Sequence, residues 1–396
     1  MCHDTTGKYK KFPAGAGHPT YTEKEFPPKS GKIWKPIDLG EVAQNVGAAE
    51  RGNCGACHFN GGGGNGVKHG DLDSSLMDPP KSLDVHMSKD GENMVCADCH
   101  KTEGHDVAGS RYDMIAKDTH GKDLPKSDGE PTSCESCHGL APHEKAKLND
   151  HVDRVACQTC HIPTFARGGN PTVVWWDWSK AGDKERGVEE DEFGKHSYDF
   201  KKGEMTWAKD VVPTYKWFDG QTDYVYIGEQ VEQTDGKFVL NALGGGPDDP
   251  NARIYPFKVV RGKQGYDPET KQLLVPHLFP SNKEDKAAYW KGYNWDAAFK
   301  AGMDAVNQPF SGQYEWADTE MYWPITHMVA PGDEALKCED CHSPGGRLTQ
   351  VAGVYVPGQD RFPWVDTLGW ILAGLSLLGV IIHAFLRFTS NKKRAH

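Results

Sequence analysis

One short motif, Cys-x-x-Cys-His, occurs five times in this chain and constrains its fold more than any other feature. The motif is the attachment signature of c-type haem. Two thiols at this spacing add to the two vinyl groups on one porphyrin edge, and the following histidine reaches the iron as its proximal ligand. The predicted haem-binding cysteines are Cys54, Cys57, Cys96, Cys99, Cys134, Cys137, Cys157, Cys160, Cys338 and Cys341, and the predicted proximal histidines are His58, His100, His138, His161 and His342.

Other chemistries use part of this motif. A Cys-x-x-Cys pair by itself also occurs in zinc sites, iron–sulfur sites and redox dithiols. None of these requires a histidine immediately after every pair, and all five pairs have one. Covalent attachment of haem c is therefore the favoured interpretation.

The composition fits a chain built around cofactors. Only 37% of the 396 residues are hydrophobic, and 45 glycines and 25 prolines are present. This apolar content is low for a chain with one large core, and apolar haem macrocycles can fill part of the interior. We expect a multihaem cytochrome c fold that is mainly α with much irregular loop and a few short strands, around a core of stacked haems. The net charge of −11 argues against a nucleic-acid partner, because phosphate binding needs a basic surface.

The first residues of the chain, Met1-Cys2-His3, suggest a sixth motif. C-type haem is attached outside the cytoplasm, yet residues 1–50 are polar and hold no secretory signal. We therefore expect sequence upstream of Met1, with Cys2 as a haem-binding cysteine and His3 as a proximal ligand in a motif cut between its cysteines. The alternative is a free Cys2 on a disordered tail.

Histidines outside the motifs can supply the second axial ligands. The 18 histidines exceed the number of motifs, and the 9 methionines show no comparable pattern. Bis-histidine haems are predicted, and these have lower potentials than Met/His haems. For each candidate the alternative is an ordinary surface histidine. The distal candidates are His69, His86, His105, His143, His151 and His327, followed by His18 and His120.

His105 and His143 each follow a proximal histidine by five residues. Five residues span at most about 17 Å when fully extended. That length barely allows the chain to round the edge of a haem and bind the same iron. We expect each of these two histidines to serve a neighbouring haem instead.

The motifs divide the chain into segments. Residues 1–50 are the remnant of an N-terminal haem region, and residues 51–165 form a four-haem core. Residues 166–326 carry no motif and are rich in aromatic residues; strands are predicted near 173–178 and 224–228 and a helix within 282–306. Because the last motif follows this segment, in residues 327–362, we expect the segment to fold on the core rather than form a separate small domain.

A membrane helix is predicted at the end of the chain. Residues 368–386 are 19 residues without formal charge, close to the roughly 20 that a spanning helix needs. Arg387, Lys392, Lys393 and Arg394 follow, so the positive-inside rule places residues 391–396 in the cytoplasm and the haem region on the periplasmic side. Residues 363–390 are the predicted anchor; a buried core helix is the alternative.

His383 lies inside this apolar run. An ionisable residue within a span is a candidate functional residue. It could contact quinol or ligate a b-type haem in a partner, or it could simply reach the membrane interface. Both interpretations stay open. The anchor itself makes a quinol-oxidising or b-type cytochrome partner in the membrane an expected electron donor.

The chain resembles the octahaem c-type cytochromes of the tetrathionate reductase family. The resemblance is carried by "CHDTTGKYKKFPAGAGHP", "CHFNGGGGNGVKHGDLD", "LNDHVDRVACQTCHIPTFA" and "MYWPITHMVAPGDEALKCEDCH". Proteins of this family are similar in haem packing to the multihaem nitrite reductase and hydroxylamine oxidoreductase group. The resemblance implies eight haems and an active-site haem upstream of Met1 with a distal lysine, for which Lys10 is the best match. The C-terminal anchor departs from the soluble members.

Two functions are consistent with these features. The first is a membrane-anchored periplasmic reductase that delivers electrons to a small inorganic substrate such as tetrathionate, nitrite or hydroxylamine. The second is a non-catalytic carrier, in which every haem is six-coordinate and electrons pass from the quinol pool or a membrane partner to another redox protein.

We predict that the chain, exported with an added signal peptide in a host that attaches c-type haem, gains five haems. Each complete motif offers the two thiols that one porphyrin needs. Intact mass spectrometry measures the number, and Cys-to-Ala changes in one motif should remove one haem. A metal analysis that finds zinc and no iron would contradict the prediction.

Overall fold

The computed structural model describes residues 2–13, 18–26, 30–100, 102–103, 105–107 and 133–394. The chain forms two compact units, Met1–Leu336 and Lys337–His396, called here the N-terminal unit and the C-terminal unit. His120, a weaker distal candidate, lies outside the described residues.

The helices of the described residues are mostly short. In chain order they are α1 (Leu39–Gln44), α2 (Arg51–His58), α3 (Cys96–Cys99), α4 (Glu135–His138), α5 (Ala146–Asn149), α6 (Cys157–His161), α7 (Tyr289–Gly292), α8 (Trp295–Ala305), α9 (Cys338–Cys341) and α10 (Pro363–Arg394).

The strands of the described residues lie mainly between the fourth and fifth complete motifs. In chain order they are β1 (Lys24–Glu25), β2 (Ile33–Trp34), β3 (Thr102–Glu103), β4 (Asp106–Val107), β5 (Thr172–Asp177), β6 (Val188–Glu190), β7 (His196–Asp199), β8 (Gly203–Ala208), β9 (Thr214–Phe218), β10 (Thr222–Tyr224), β11 (Gln233–Thr234), β12 (Lys237–Val239), β13 (Asn241–Leu243), β14 (Arg253–Asp267), β15 (Gln272–Leu273) and β16 (Glu315–Pro324).

Each complete motif lies wholly or partly in one short helix, and three of these helices are capped by a residue within the motif or directly before it. Asp98 accepts a hydrogen bond from the backbone N–H of Val95 (2.7 Å). Asp340 accepts one from Lys337 (2.7 Å), and Asn53 accepts one from Glu50 (2.8 Å). Asp98 and Asp340, just before the second cysteine, and Asn53, just before the first, each satisfy an N–H that would otherwise lack a partner at the helix start. One helical turn then places the two cysteines on the same face.

A ten-stranded mixed sheet organises residues 172–324. Its main order is β11-β12-β16-β14-β5-β8-β7-β6, and β9 and β15 also pair with β14. The long strand β14 is the centre: it runs antiparallel to β16 from Phe257 opposite Pro324 to Tyr266 opposite Glu315, and parallel to β5 through Arg261–Trp175. The expectation of a mainly α protein with few short strands is therefore wrong for the described residues, which form a mixed α and β fold with much irregular chain.

Strand β14 was not predicted because its sequence contains Pro256, Gly262 and Gly265, residues that usually mark turns. The structure gives a physical reason for the glycines. A Cβ atom at Gly262 would clash with the carbonyl oxygen of Trp176, and one at Gly265 would clash with the Phe299 ring. Gly262 therefore allows strand β14 to approach strand β5 closely, and Gly265 allows it to approach helix α8 closely.

The elements predicted for the aromatic segment are present in part. Strand β5 confirms the strand near 173–178, whereas the strand predicted at 224–228 is reached only by the last residue of β10, Tyr224. The predicted helix within 282–306 is divided into α7 and α8. Tyr293 separates the two with a left-handed backbone (φ 53°), and Asn294 then caps α8 by accepting from Ala297 N–H (3.0 Å).

Helix α8 packs on the sheet through an apolar cluster. Leu274, Phe299 and Met303 are buried, and Trp295 and Trp316 pack against them. Each large apolar side chain that is fully buried contributes about 1.5–3 kcal/mol. This cluster stabilises the segment without a haem.

The sheet contacts the segment that carries the motifs at the start of β14. Ile254 O accepts hydrogen bonds from Ala156 N–H (3.1 Å) and from the Thr159 hydroxyl (2.7 Å), on either side of Cys157. Val155 and Ile254 also form a parallel bridge. The motif-free segment and helix α6 are therefore packed together within the N-terminal unit.

The C-terminal unit contains α9 and the long helix α10. Within residues Pro363–Ser390 of α10, an 18-residue window has a mean hydropathy of 2.1, and none of that window is buried. Among the described residues this is the helix that is long and apolar enough to cross a membrane.

Candidate haem-binding site

Four pairs of histidine rings face each other in the N-terminal unit. Three pairs join a histidine of a complete motif to a histidine from outside the motifs, and the fourth joins His3 of the Cys2-His3 dipeptide to His105. The distances between ring centroids are 6.4 Å for His3–His105, 6.0 Å for His86–His138, 6.3 Å for His100–His327 and 5.9 Å for His143–His161.

These separations fit an iron held between two imidazoles. A metal–imidazole bond is about 2 Å long, and the ring centre lies further back, so two axial ligands place their centroids about 6 Å apart. The angles between ring planes vary from 12° to 87°, as free rotation about each metal–nitrogen bond allows. The described residues contain no group of three or more His, Cys, Asp or Glu side chains that could hold a bare metal ion. Haem iron needs only two axial nitrogens from the protein, because the porphyrin supplies the other four ligands.

In several of these histidines a backbone hydrogen bond to Nδ1 leaves Nε2 available to bind a metal. The Nδ1 atom of His3 lies 2.8 Å from Gly47 O, that of His342 lies 2.8 Å from Pro357 O, and that of His151 lies 3.0 Å from Lys147 O. A carbonyl oxygen only accepts, so Nδ1 carries the proton in each case. The unprotonated Nε2 is then the ligand atom, which is the usual arrangement in metal-binding histidines.

His327 has the most elaborate support. The Asp71 carboxylate accepts from His327 Nδ1 (3.1 Å) and from the backbone N–H groups of His327 (2.9 Å) and Thr326 (2.8 Å). Burial opposes ionisation of Asp71, but its hydrogen bond with His327 and the attraction of that ring outweigh burial and hold the carboxyl pKa at about 2. Burial by itself would lower the pKa of His327. The hydrogen bond with Asp71 and the attraction of its carboxylate outweigh burial, so the pKa of His327 is raised. The pair fixes the ring toward His100.

Asn149 orients His143 in a similar way. Its Oδ1 atom lies 3.1 Å from His143 Nδ1 and accepts from His143 N–H (3.0 Å), and its Nδ2 donates to His143 O (2.8 Å). The facing ring, His161, is partly buried, and burial followed by the proximity of His143 lowers its pKa. The neutral imidazole, which is the form that binds metal, is thereby favoured.

Cysteines from successive motifs also meet. Cys54 is hydrogen-bonded to Cys96, and Cys134 is hydrogen-bonded to Cys157. Each contact joins the first cysteines of two different motifs. These cysteines would hold the attachment edges of two haems of neighbouring motifs.

His69 occupies a different environment. Its ring packs edge-on against Trp323 at 5.0 Å, and burial lowers its pKa to about 4. Lys258 of strand β14 holds the same loop, because its Nζ donates to Val67 O (3.0 Å) and Lys68 O (2.8 Å) and also contacts the Thr172 hydroxyl. Burial lowers the pKa of Lys258 to about 7, against the attraction of Asp71.

The remaining predicted residues lie outside the four histidine pairs. His58 and His18 are exposed, and no second imidazole faces the His58 ring among the residues that the structure describes. Lys10 is exposed, whereas the neighbouring Lys8 pairs with Glu41 at 2.5 Å. Tyr9 between them is half-buried, and burial followed by the proximity of Tyr21, Cys57 and Cys2 raises its pKa.

The structure adds residues that sequence reasoning missed. Asp71, Asn149 and Lys258 support candidate ligands or their loops. Asp71 follows His69 by two residues in "HGDLD" but supports His327, which is 256 residues away. Sequence spacing gives no signal for such a contact.

Comparisons with known proteins give two matches. The family described as "Cytochrome c bacterial" matches residues 173–345. The crystal structure of an octaheme cytochrome c from Shewanella oneidensis is similar to this chain, with 40% sequence identity and a TM-score of 0.73. The match covers 89% of this chain and 72% of that chain. A comparison with curated proteins found no match.

Proposed function

Since this chain belongs to the family of octahaem c-type cytochromes, we propose that it transfers electrons through bis-histidine c-type haems on the periplasmic side of a membrane. One observation carries the proposal: three motif histidines and His3 each lie 5.9–6.4 Å from a second histidine ring. Haem c supplies one-electron chemistry when bound. The chain supplies the thiols, the axial nitrogens and the groups that orient them.

The proposed ligand pairs connect different motifs. His105 follows the motif of His100 but faces His3, and His143 follows the motif of His138 but faces His161. His86 precedes the motif of His100 but faces His138. Each haem would then be held by two separate segments of chain, so that binding of one haem restrains its neighbours. A rigid array of six-coordinate haems suits electron exchange, because little has to move when an electron arrives.

Helix α10 is proposed as the membrane anchor. Its apolar side chains are exposed along its length, with Trp364 at 69% and Trp370 at 80% near its first turns. Tryptophan favours the membrane–water interface, and Arg387 and Lys392 beyond the apolar run favour the cytoplasmic side. The proposed electron source is the quinol pool, reached directly or through a quinol-oxidising or b-type cytochrome in the same membrane.

A second proposed function is reduction of a small inorganic substrate of the tetrathionate, nitrite or hydroxylamine class. The resemblance to the tetrathionate reductase family supports it, together with the place of the "TGKYKK" loop, since Tyr9 lies near both Cys2 and Cys57. Lys8, Lys10 and Lys11 make this loop basic on an otherwise acidic protein, which favours an anionic substrate. Lys10 is the proposed replaceable ligand of the active-site haem.

The histidine pairs are tested by His143→Ala in the haem-loaded protein. Loss of one axial nitrogen should convert one low-spin haem to high-spin, while intact mass shows the same haem number. His196→Ala is the control, because His196 lies on strand β7 and faces no motif histidine. Electron paramagnetic resonance distinguishes the spin states. An all low-spin spectrum for His143→Ala would contradict the pairing.

The reductase proposal is tested by Lys10→Ala in a protein that contains all its haems. Removal of a ligand at the reacting haem should lower turnover by about tenfold or more and change the high-spin signal. Lys35→Ala removes an equally exposed charge and should leave turnover unchanged. Equal activity and spectra in wild type and Lys10→Ala would remove Lys10 from the mechanism and favour the carrier.

The anchor is tested by deleting residues 363–396. The shortened protein should leave the membrane fraction after a high-salt wash and keep the same number of haems, since all five complete motifs precede residue 363. Fractionation followed by haem staining measures both. Retention of the shortened protein in the membrane would show that another part of the chain holds it there.

A further inference from the structure

A cavity lies at the start of α10, within the C-terminal unit. Its volume is about 420 Å³, in the range of small-molecule sites. The residues that matter in its lining are Tyr355, Gly358, Asp360, Phe362, Asp366 and Trp370. We infer that this cavity binds the head group of a membrane quinol. The inference rests on the proposed function, whose electron donor it identifies.

The lining suits a flat ring. Tyr355 and Phe362 stack at 5.5 Å with an angle of 16° between their planes, and both remain more than half exposed. Trp370, on the second turn of α10, adds a third aromatic wall. Exposed aromatic faces are poorly solvated, and stacking against another planar ring stabilises them.

The cavity also contains proton acceptors. Asp360 Oδ2 is held by the backbone N–H of Val356 at 2.6 Å. By contrast, the Asp366 carboxylate accepts no hydrogen bond from any residue that the structure describes. A carboxylate at this position can accept a proton from a quinol hydroxyl, which an apolar lipid chain cannot supply.

The cavity adjoins the last haem motif. Pro357, next to the lining residue Gly358, accepts from His342 Nδ1 at 2.8 Å. A Cβ atom at Gly358 (φ +87°) would clash with the His342 carbonyl oxygen, so the loop and the proximal histidine are in direct contact. The donor site is therefore beside the haem attached at Cys338 and Cys341, and at the start of the apolar helix, where a lipid-soluble donor arrives.

The reaction balances with ferric haem as oxidant. The quinol loses two protons and two electrons: its two O–H bonds break and two carbonyl bonds form, giving the quinone. Two ferric haems held by the motifs would supply the oxidant, at one electron each. The protons pass in turn to the Asp366 carboxylate and from there to water.

Binding is tested first, with the haem-loaded full chain in detergent micelles and all irons oxidised. A fluorescent hydroxyquinoline N-oxide, which mimics a quinol, should be quenched at one equivalent and displaced by a short-chain ubiquinone but not by phosphatidylglycerol. Trp370→Leu and Tyr355→Leu should each weaken binding about tenfold, as for other aromatic contacts at binding sites. Phe385→Leu, which changes an exposed aromatic residue (68%) four turns further along α10, is the matched control and should bind as wild type does.

Asp366→Asn separates proton transfer from binding. It should bind the analogue like wild type, while haem reduction by a short-chain quinol slows by about a hundredfold, the loss typical of a missing general base. The inference is overturned if the analogue does not bind to wild type, if it binds equally to Trp370→Leu and Phe385→Leu, or if phosphatidylglycerol displaces it. An unchanged rate of haem reduction in Asp366→Asn would also overturn it. If binding fails while the haems stay low-spin and reducible by dithionite, the proposed electron transfer stands without this site.

Discussion

Two imidazoles that face each other about 6 Å apart are the recurring interaction around which the N-terminal unit is arranged. In three of the pairs one ring belongs to a complete Cys-x-x-Cys-His motif, in the fourth one ring is His3 of the Cys2-His3 dipeptide, and the other ring always comes from another part of the chain. In the proposed function an iron joins the two rings, so every haem is also a crosslink between segments. This explains how helices of four or five residues, too short to be stable alone, can be held in place.

The sheet between the fourth and fifth complete motifs determines where one of these rings lies. Strand β16 ends at Pro324, and the chain then places Thr326 and His327 on the Asp71 carboxylate. Strand β14 meets helix α6 at Ile254 and reaches the loop before His69 through Lys258. A segment without any motif therefore positions groups around the motifs, and the Phe299 cluster stabilises it by ordinary apolar packing.

The two units suit different parts of one proposed pathway. The C-terminal unit combines the last motif, an apolar helix and a cavity lined by aromatic rings and carboxylates. The N-terminal unit holds the histidine pairs and the basic loop around Lys10. In this proposal the C-terminal unit accepts electrons and the N-terminal unit holds the paired haems.

The sequence by itself determined the cofactor, haem c, and predicted its attachment residues, because haem attachment needs two thiols and a histidine at a fixed local spacing. It also indicated the apolar helix, a consequence of 19 consecutive uncharged residues. The expectation that His105 and His143 serve neighbouring haems came from the short reach of five residues after each motif. The structure places these two histidines beside His3 and His161. The large sheet was missed, since the glycines of β14 resemble turn residues until the strand and helix that approach them are known. Only the tertiary structure decided which histidine rings lie together and that Asp71 supports His327, 256 residues away. Such contacts depend on how distant segments pack, and they leave no periodic signal in the sequence.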